Sequence, residues 1–170
     1  AKAVRLQTPL PDARLRVTEL LAGAVDLSGT AMGPRFANYR LQFGAGAYPT
    51  NWTDFYFSNT PVTNGVLLAG LTTDTIPEGE QTLRLIVTDT LGQEAADRAV
   101  VQVQNVRFAS PLNNDVHRAG DRVELRGNVF GTGRTYAIEH GVGWQPATWS
   151  TQGVTLADDG QLPVLDGPLG

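Results

Sequence analysis

The stretch from residue 25 to 68 recurs at 123 to 170, and internal likeness of that kind marks a chain that folds as similar modules in series. Val25-Asp26-Leu27-Ser28-Gly29 aligns with Val123-Glu124-Leu125-Arg126-Gly127, and Gly33 with Gly131. After one residue is dropped, Tyr39, Leu41, Gly44, Gly46, Pro49 and Trp52 fall on Tyr136, Ile138, Gly141, Gly143, Pro146 and Trp149. A five-residue insertion then brings Pro61-Val62-Thr63-Asn64-Gly65 onto Pro163-Val164-Leu165-Asp166-Gly167. Upstream, Thr8-Pro9-Leu10 corresponds to Ser110-Pro111-Leu112. The first copy with its lead-in spans about a hundred residues, a common domain size. The spacing predicts domains at 1–107 and 108–170.

Side-chain alternation sets the strands of the first copy. From Phe36 to Phe43, Ala37, Tyr39, Leu41 and Phe43 share one face while Asn38, Arg40 and Gln42 share the other, the period of two of a half-buried strand. Val25 to Thr30, Trp52 to Phe57 and Val66 to Leu71 supply further strands, the last after a turn signal at Asn64-Gly65. Gln81 to Thr88 is the strongest, with Leu83, Leu85 and Val87 inward and Thr82, Arg84 and Thr88 outward. Its hairpin passes through Asp89-Thr90-Leu91-Gly92, and Ala99, Val101 and Val103 return beside it. Val4 to Thr8 makes an extended lead-in ending at Pro9 and Pro11, which suits a linker or a first edge strand but not a central one. About seven short antiparallel strands in about a hundred residues predict an all-β fold, an immunoglobulin-like or fibronectin-III-like sandwich without the cysteine pair of antibody domains.

Composition points the same way and excludes several functions. Nineteen glycines and ten prolines punctuate short runs of Val, Thr, Leu and aromatic residues, as many short strands with frequent turns require. With no cysteine there is neither a disulfide nor a thiolate metal site. A net charge of -4 argues against a nucleic-acid surface, which needs a clustered basic face. No apolar run approaches the roughly 20 residues of a membrane helix, and the start at Ala1-Lys2-Ala3 carries no apolar signal region. No cofactor, nucleic-acid partner or membrane insertion is expected.

The run from Gly29 through Trp52, then Pro61-Val62 and Asn64-Gly65-Val66-Leu67, then Pro77-Glu78-Gly79 with Thr82-Leu83-Arg84-Leu85, and finally Asp89 and Gly92, resembles the Ig-like repeat carried by many bacterial secreted proteins. That repeat occurs in extracytoplasmic tails of subtilisin-like proteases and penicillin-binding proteins. The resemblance covers nearly all of the first copy and the front of the second. Ile76 stands where the repeat usually has Leu, Gln81 where it has Tyr, and Gly70-Leu71 where a Trp is common. Such repeats are spacers or binding modules, so the resemblance implies an extracellular or cell-surface location and no catalytic residues.

Set against the first copy, the second lacks a counterpart of Ala69 to Asn105. Burying a Leu or Val is worth about 1.5 to 3 kcal/mol, so losing the equivalents of Leu83, Leu85, Val87, Val101 and Val103 removes on the order of 10 kcal/mol. That matches the whole stability of a typical domain. The expectation is therefore tandem Ig-like sandwiches with the second incomplete. Two explanations stand side by side: the sequence is a piece of a longer chain, or strands from a neighbouring subunit finish the second sandwich by strand addition. Other protein chains, or further repeats of the same polypeptide, are then the expected partners.

Residue types that carry catalysis are sparse. A Ser-His-Asp set needs a histidine beside a nucleophile, and both histidines lie in the second copy. His140 takes the place of Phe43 and reads as a rim or core residue, and His117 as a solvated loop residue. Asp158-Asp159 before Gly160 reads as turn chemistry, while Asn113-Asn114-Asp115 is weighed as a calcium loop against an interdomain turn. Asn51-Trp52-Thr53 matches a glycosylation sequon, which in a sequence of bacterial look reads as a chance match. Trp52 and Trp149 share a repeat position and read as packing residues. Trp144 has Ala47 as its counterpart, and Tyr48 lies beside that position, so Trp144 and Tyr48 are the candidate ligand or interface residues, for a sugar ring or a protein partner. The resulting prediction is a non-enzymatic structural, spacer or adhesive module of a bacterial surface assembly. The alternative is an accessory or glycan-binding tail of a larger secreted enzyme.

Overall fold

The structure, a computed structural model, describes residues 9–118, 123, 125–131 and 135–156. Every regular element among them is a strand, apart from one 3-10 turn at Thr73–Thr75. The chain divides into two compact units, Ala1–Val103 and Gln104–Gly170, against an expected division at 107/108.

Unit 1 contains β1 (Asp12–Arg16), β2 (Leu20–Leu21), β3 (Ala24–Met32), β4 (Phe36–Ala45), β5 (Thr53–Ser58), β6 (Val62–Thr72), β7 (Gly79–Asp89) and β8 (Glu94–Val103). One sheet has the order β1-β3-β6 and the other β2-β8-β7-β4-β5. All pairings are antiparallel except that of β2 with β8. Tyr39, Leu41 and Phe43 on β4 stand opposite Val87, Leu85 and Leu83 on β7. These residues join Leu27, Leu67 and Leu71 of the other sheet and Val101 and Val103 of β8 in one apolar core. Two sheets closing on a shared interior are consistent with a β-sandwich.

A buried polar bond crosses that interior: the Tyr39 hydroxyl donates to the Leu67 carbonyl at 2.6 Å. Burial, the largest influence, raises the phenol's pKa above its ordinary value. Tyr39→Phe leaves the Leu67 carbonyl without this donor and is expected to cost about 1 to 2 kcal/mol in urea denaturation. An unchanged midpoint would show that the bond contributes nothing.

Asp89 organises the β7–β8 turn. Its Oδ1 accepts from the N–H groups of Leu91 (2.9 Å) and Gln93 (2.8 Å), and its Oδ2 pairs with Arg35 Nη2 at 2.9 Å. Burial pushes the carboxyl up, but the hydrogen bonds from Gln93, Arg35 and Leu91 and the Arg35 charge outweigh it, so its pKa lies below the usual value. A lowered native pKa contributes stability that is full above the unfolded-state value, about 3.9, and is lost as pH falls through the native one. Unit 1 is expected to lose stability in that acid window, and Asp89→Asn to be less stable at neutral pH with a flatter acid limb in pH-dependent thermal melts.

In two places the structure departs from the strand reading. Asn64-Gly65 is not a turn before a strand: β6 runs through it, and Asn64 takes φ +47° as a kink inside the strand. Thr30 Oγ1 supports the kink by accepting the Asn64 N–H at 3.1 Å. A second kink at Gly70 (φ +63°) is held by its N–H donating to Asp26 Oδ1 at 2.7 Å. Thr82, expected to face outward, is buried, as are Gln42 and Ile86 on the same side of the sheet. β1 begins at the residue after Pro11 and lies at the edge of its sheet, one of the two places that the proline pair suits. Val4 to Thr8 lie outside the described residues.

Unit 2 contains β9 (Val106–Ser110), β10 (Arg126–Val129), β11 (Thr135–His140) and β12 (Ser150–Leu156). β9 pairs with β10, and β11 with β12, both antiparallel. β9 spans the expected 107/108 division, and the Phe130 N–H donates to the Asn105 carbonyl at 2.7 Å. Val123, Val129 and Ile138 are buried. The segment matched to Pro61–Leu67 lies outside the described residues.

Candidate interaction surface

Tyr48 and Trp144 both stand on loops that leave a strand through a Gly-x-Gly step. In unit 1, a Cβ on Gly44 would lie 2.4 Å from Pro49 Cβ and 2.6 Å from the Asn51 carbonyl oxygen, so only glycine lets the proline ring close the loop base. Gly141 in unit 2 would meet Pro146 Cβ at 2.4 Å and the Thr148 oxygen at 3.0 Å. Two residues further on, Gly46 (φ +75°) and Gly143 (φ +89°) turn the backbone through the left-handed region. In unit 1 the loop is also tied to β7, because Gly46 N–H donates to the Glu80 carbonyl at 2.9 Å and the Thr82 hydroxyl donates to the Gly46 carbonyl at 2.6 Å.

These closures hold aromatic side chains out in water. Tyr48 is 92% exposed and Trp144 89%, with Val142 also exposed beside Trp144. The two aromatics belong to different units. Each presents a flat apolar face with a polar handle, the chemistry of a sugar-stacking or protein-anchoring residue.

The outer face of the five-stranded sheet carries a second surface that alternation alone does not disclose. Arg84 Nε donates to Gln42 Oε1 at 2.8 Å, its Nη2 reaches the same oxygen, and Gln42 Nε2 donates to Asp54 Oδ1 at 2.5 Å. The Trp52 ring covers the Arg84 guanidinium at 3.8 Å, with that of Arg98 at 5.4 Å. Burial first, then the charges of Arg98 and Arg40, hold the Arg84 pKa below its ordinary value. Trp52 thus packs on a cation outside the sheet rather than in the core, while Trp149, expected to pack, is 58% exposed.

A bulge in β5 shapes the end of this face. Leu41 stands opposite Tyr56 and Gln42 opposite Asp54, leaving Phe55 as the extra residue. Such an insertion bends the strand and re-aims its side chains. Beside it lies a cleft of about 420 Å³ lined by Asn38, Arg40, Asp54, Phe55, Tyr56 and Phe57, with Phe57 64% exposed. Arg40 pairs across the sheet with Glu94 at 3.1 Å. Aromatic edges beside an amide, a carboxylate and a guanidinium suit a polar ligand with a flat face.

The remaining candidates take ordinary positions. Asn113-Asn114-Asp115 forms a turn in which Asp115 Oδ2 accepts the Leu112 N–H at 2.7 Å. Among the described residues no three His, Cys, Asp or Glu side chains gather as a metal site. His117 is exposed, and His140 stands opposite Ser150 at the end of β11. Asp158-Asp159 lie outside the described residues. No described helix is long and apolar enough to cross a membrane. In comparisons with known proteins, no family model, curated protein or solved structure matches the chain.

Proposed function

We propose that the chain is a non-catalytic structural and adhesive module of a bacterial surface assembly, built from Ig-like β-domains in series. One observation carries this reading: the β4–β5 and β11–β12 hairpins keep the same register. Phe43 faces Thr53, Gln42 faces Asp54, Arg40 faces Phe57 and Tyr39 faces Ser58. His140 faces Ser150, Glu139 faces Thr151, Ala137 faces Val154 and Tyr136 faces Thr155, each pair 97 residues further on. The matching glycine–proline closures at Gly44 and Gly141 add support. A surface location follows from the family resemblance. The work of such a module is mechanical: stiff domains set distance and hold loops toward partners.

Pulling single molecules by their ends tests the structural role. Residues 12 to 103 extend to about 30 nm when unravelled, and a force-bearing domain releases that length in one step. Smooth extension without a step would remove the reading. The exposure of Trp144 supports a second role, glycan binding by a tail of a larger secreted enzyme. On a glycan array, binding that Trp144→Ala abolishes would support it, and binding unchanged in that variant would remove it.

A further inference from the structure

We propose that the cleft beside the β5 bulge is a binding site for an uncharged sugar ring, formed by unit 1, the unit that does not carry Trp144. The bulge accounts for the aromatic side chain that stands there. With Asp54 on the outer face opposite Gln42, plain alternation would turn Phe55 inward, Tyr56 outward and Phe57 inward again. The extra residue reverses the last two. Phe55 and Tyr56 both pack against the core, with ring centroids 6.1 Å from Phe43 and 6.0 Å from Tyr39, and Phe57 comes out opposite Arg40. There it is 64% exposed. A bulge also serves to end strand pairing, but that use makes no demand on the side chain at 57. A phenylalanine at this place adds an apolar face to an otherwise polar wall.

The walls specify the chemistry of the ligand. Arg40 is held by Glu94 at 3.1 Å, and the exposed Asp54 gives one carboxylate oxygen to the Gln42 amide. The other Asp54 oxygen is an acceptor, the Arg40 N–H groups that Glu94 does not take are donors, and the Asn38 amide is both. Such a set matches neighbouring hydroxyls, each of which donates and accepts. A net charge gains little here, because an anion drawn by Arg40 is repelled by Asp54, and a cation meets the reverse. The C–H face of a pyranose has Phe57 to lie on. The cleft's volume of about 420 Å³ falls within the range of small-ligand sites, about 300 to 1,000 Å³.

The test titrates the full chain with three uncharged probes, the methyl β-glycosides of glucose, galactose and N-acetylglucosamine, and with glucuronate as the charged control. Each is taken to about 20 mM, enough to detect a Kd near 1 mM, while backbone amide shifts are followed. At least one uncharged glycoside is expected to give saturable shifts at residues 38–40 and 54–57. Phe57→Ala and Asp54→Asn are each expected to weaken that binding about tenfold, and Trp144→Ala to leave it unchanged. Spectra without sugar check that β4–β5 is intact in the Phe57→Ala protein, and Asp54→Asn carries the test if it is not. No saturable shift at these residues from any of the three glycosides would overturn the proposal. So would glucuronate binding as tightly as they do, or full binding in Asp54→Asn. Binding lost only in Trp144→Ala would overturn it too, while leaving the glycan reading of Trp144 standing.

Discussion

Leu85→Ala is expected to lower the stability of unit 1 by about 3 kcal/mol, within the range for fully buried leucines. Leu85 is completely buried at the middle of β7, with Leu41 opposite it on β4 and Asp97 on β8. A central strand has little room to collapse into the space left by a lost side chain, so the cost includes the cavity as well as the transfer of the missing methyl groups. Against a typical total of about 5 to 15 kcal/mol, this is a large fraction. Urea denaturation followed by Trp52 fluorescence, in a background with Trp144 and Trp149 changed to Phe, isolates unit 1. A loss below about 1 kcal/mol would mean that Leu85 does not lie at the centre of the core.

The second large effect concerns the loop closures. Gly44→Ala places a methyl group 2.4 Å from Pro49 Cβ and 2.6 Å from a backbone oxygen, neither of them the end of a flexible side chain. Relief requires the loop base to open, at an expected cost of about 3 kcal/mol, the upper range for overpacking. Gly141→Ala meets the same obstacle in unit 2 and is expected to release the Trp144 loop in the same way. The matched pair is informative because the two substitutions report on separate units. Comparable loss of amide protection in each hairpin supports their equivalence, and a silent Gly141→Ala would break it.

Much of unit 1 was legible because its strands alternate. Leu83, Leu85 and Val87 on one side of β7, and Tyr39 and Leu41 on β4, are in the core as period-two reasoning expects. Where the backbone bends within a strand, that reasoning fails. Asn64-Gly65 has the composition of a hairpin turn, and only Thr30, distant in sequence, turns it into a kink within β6. β2 is too short to show any period, and its partner β8 lies about eighty residues away. Alternation places Thr82 and Arg84 on the outward face of β7 and says nothing of what covers them, yet Trp52 folds over Arg84. Nothing local to either residue announces that stack. Tyr48 and Trp144 could be singled out because their loops align across the repeat, whereas the cleft at Phe57 depends on a bulge whose extra residue has no sequence mark.

The kinks in β6 bear on behaviour in a crowd. Among the described residues β6 is the outermost strand of its sheet, and straight edges of this kind zip onto neighbouring molecules. Asn64 and Gly70 interrupt the hydrogen-bonding rhythm at either end of the short run from Gly65 to Ala69. Many such molecules packed side by side would therefore stay separate along this flank, leaving traffic between them to other surfaces.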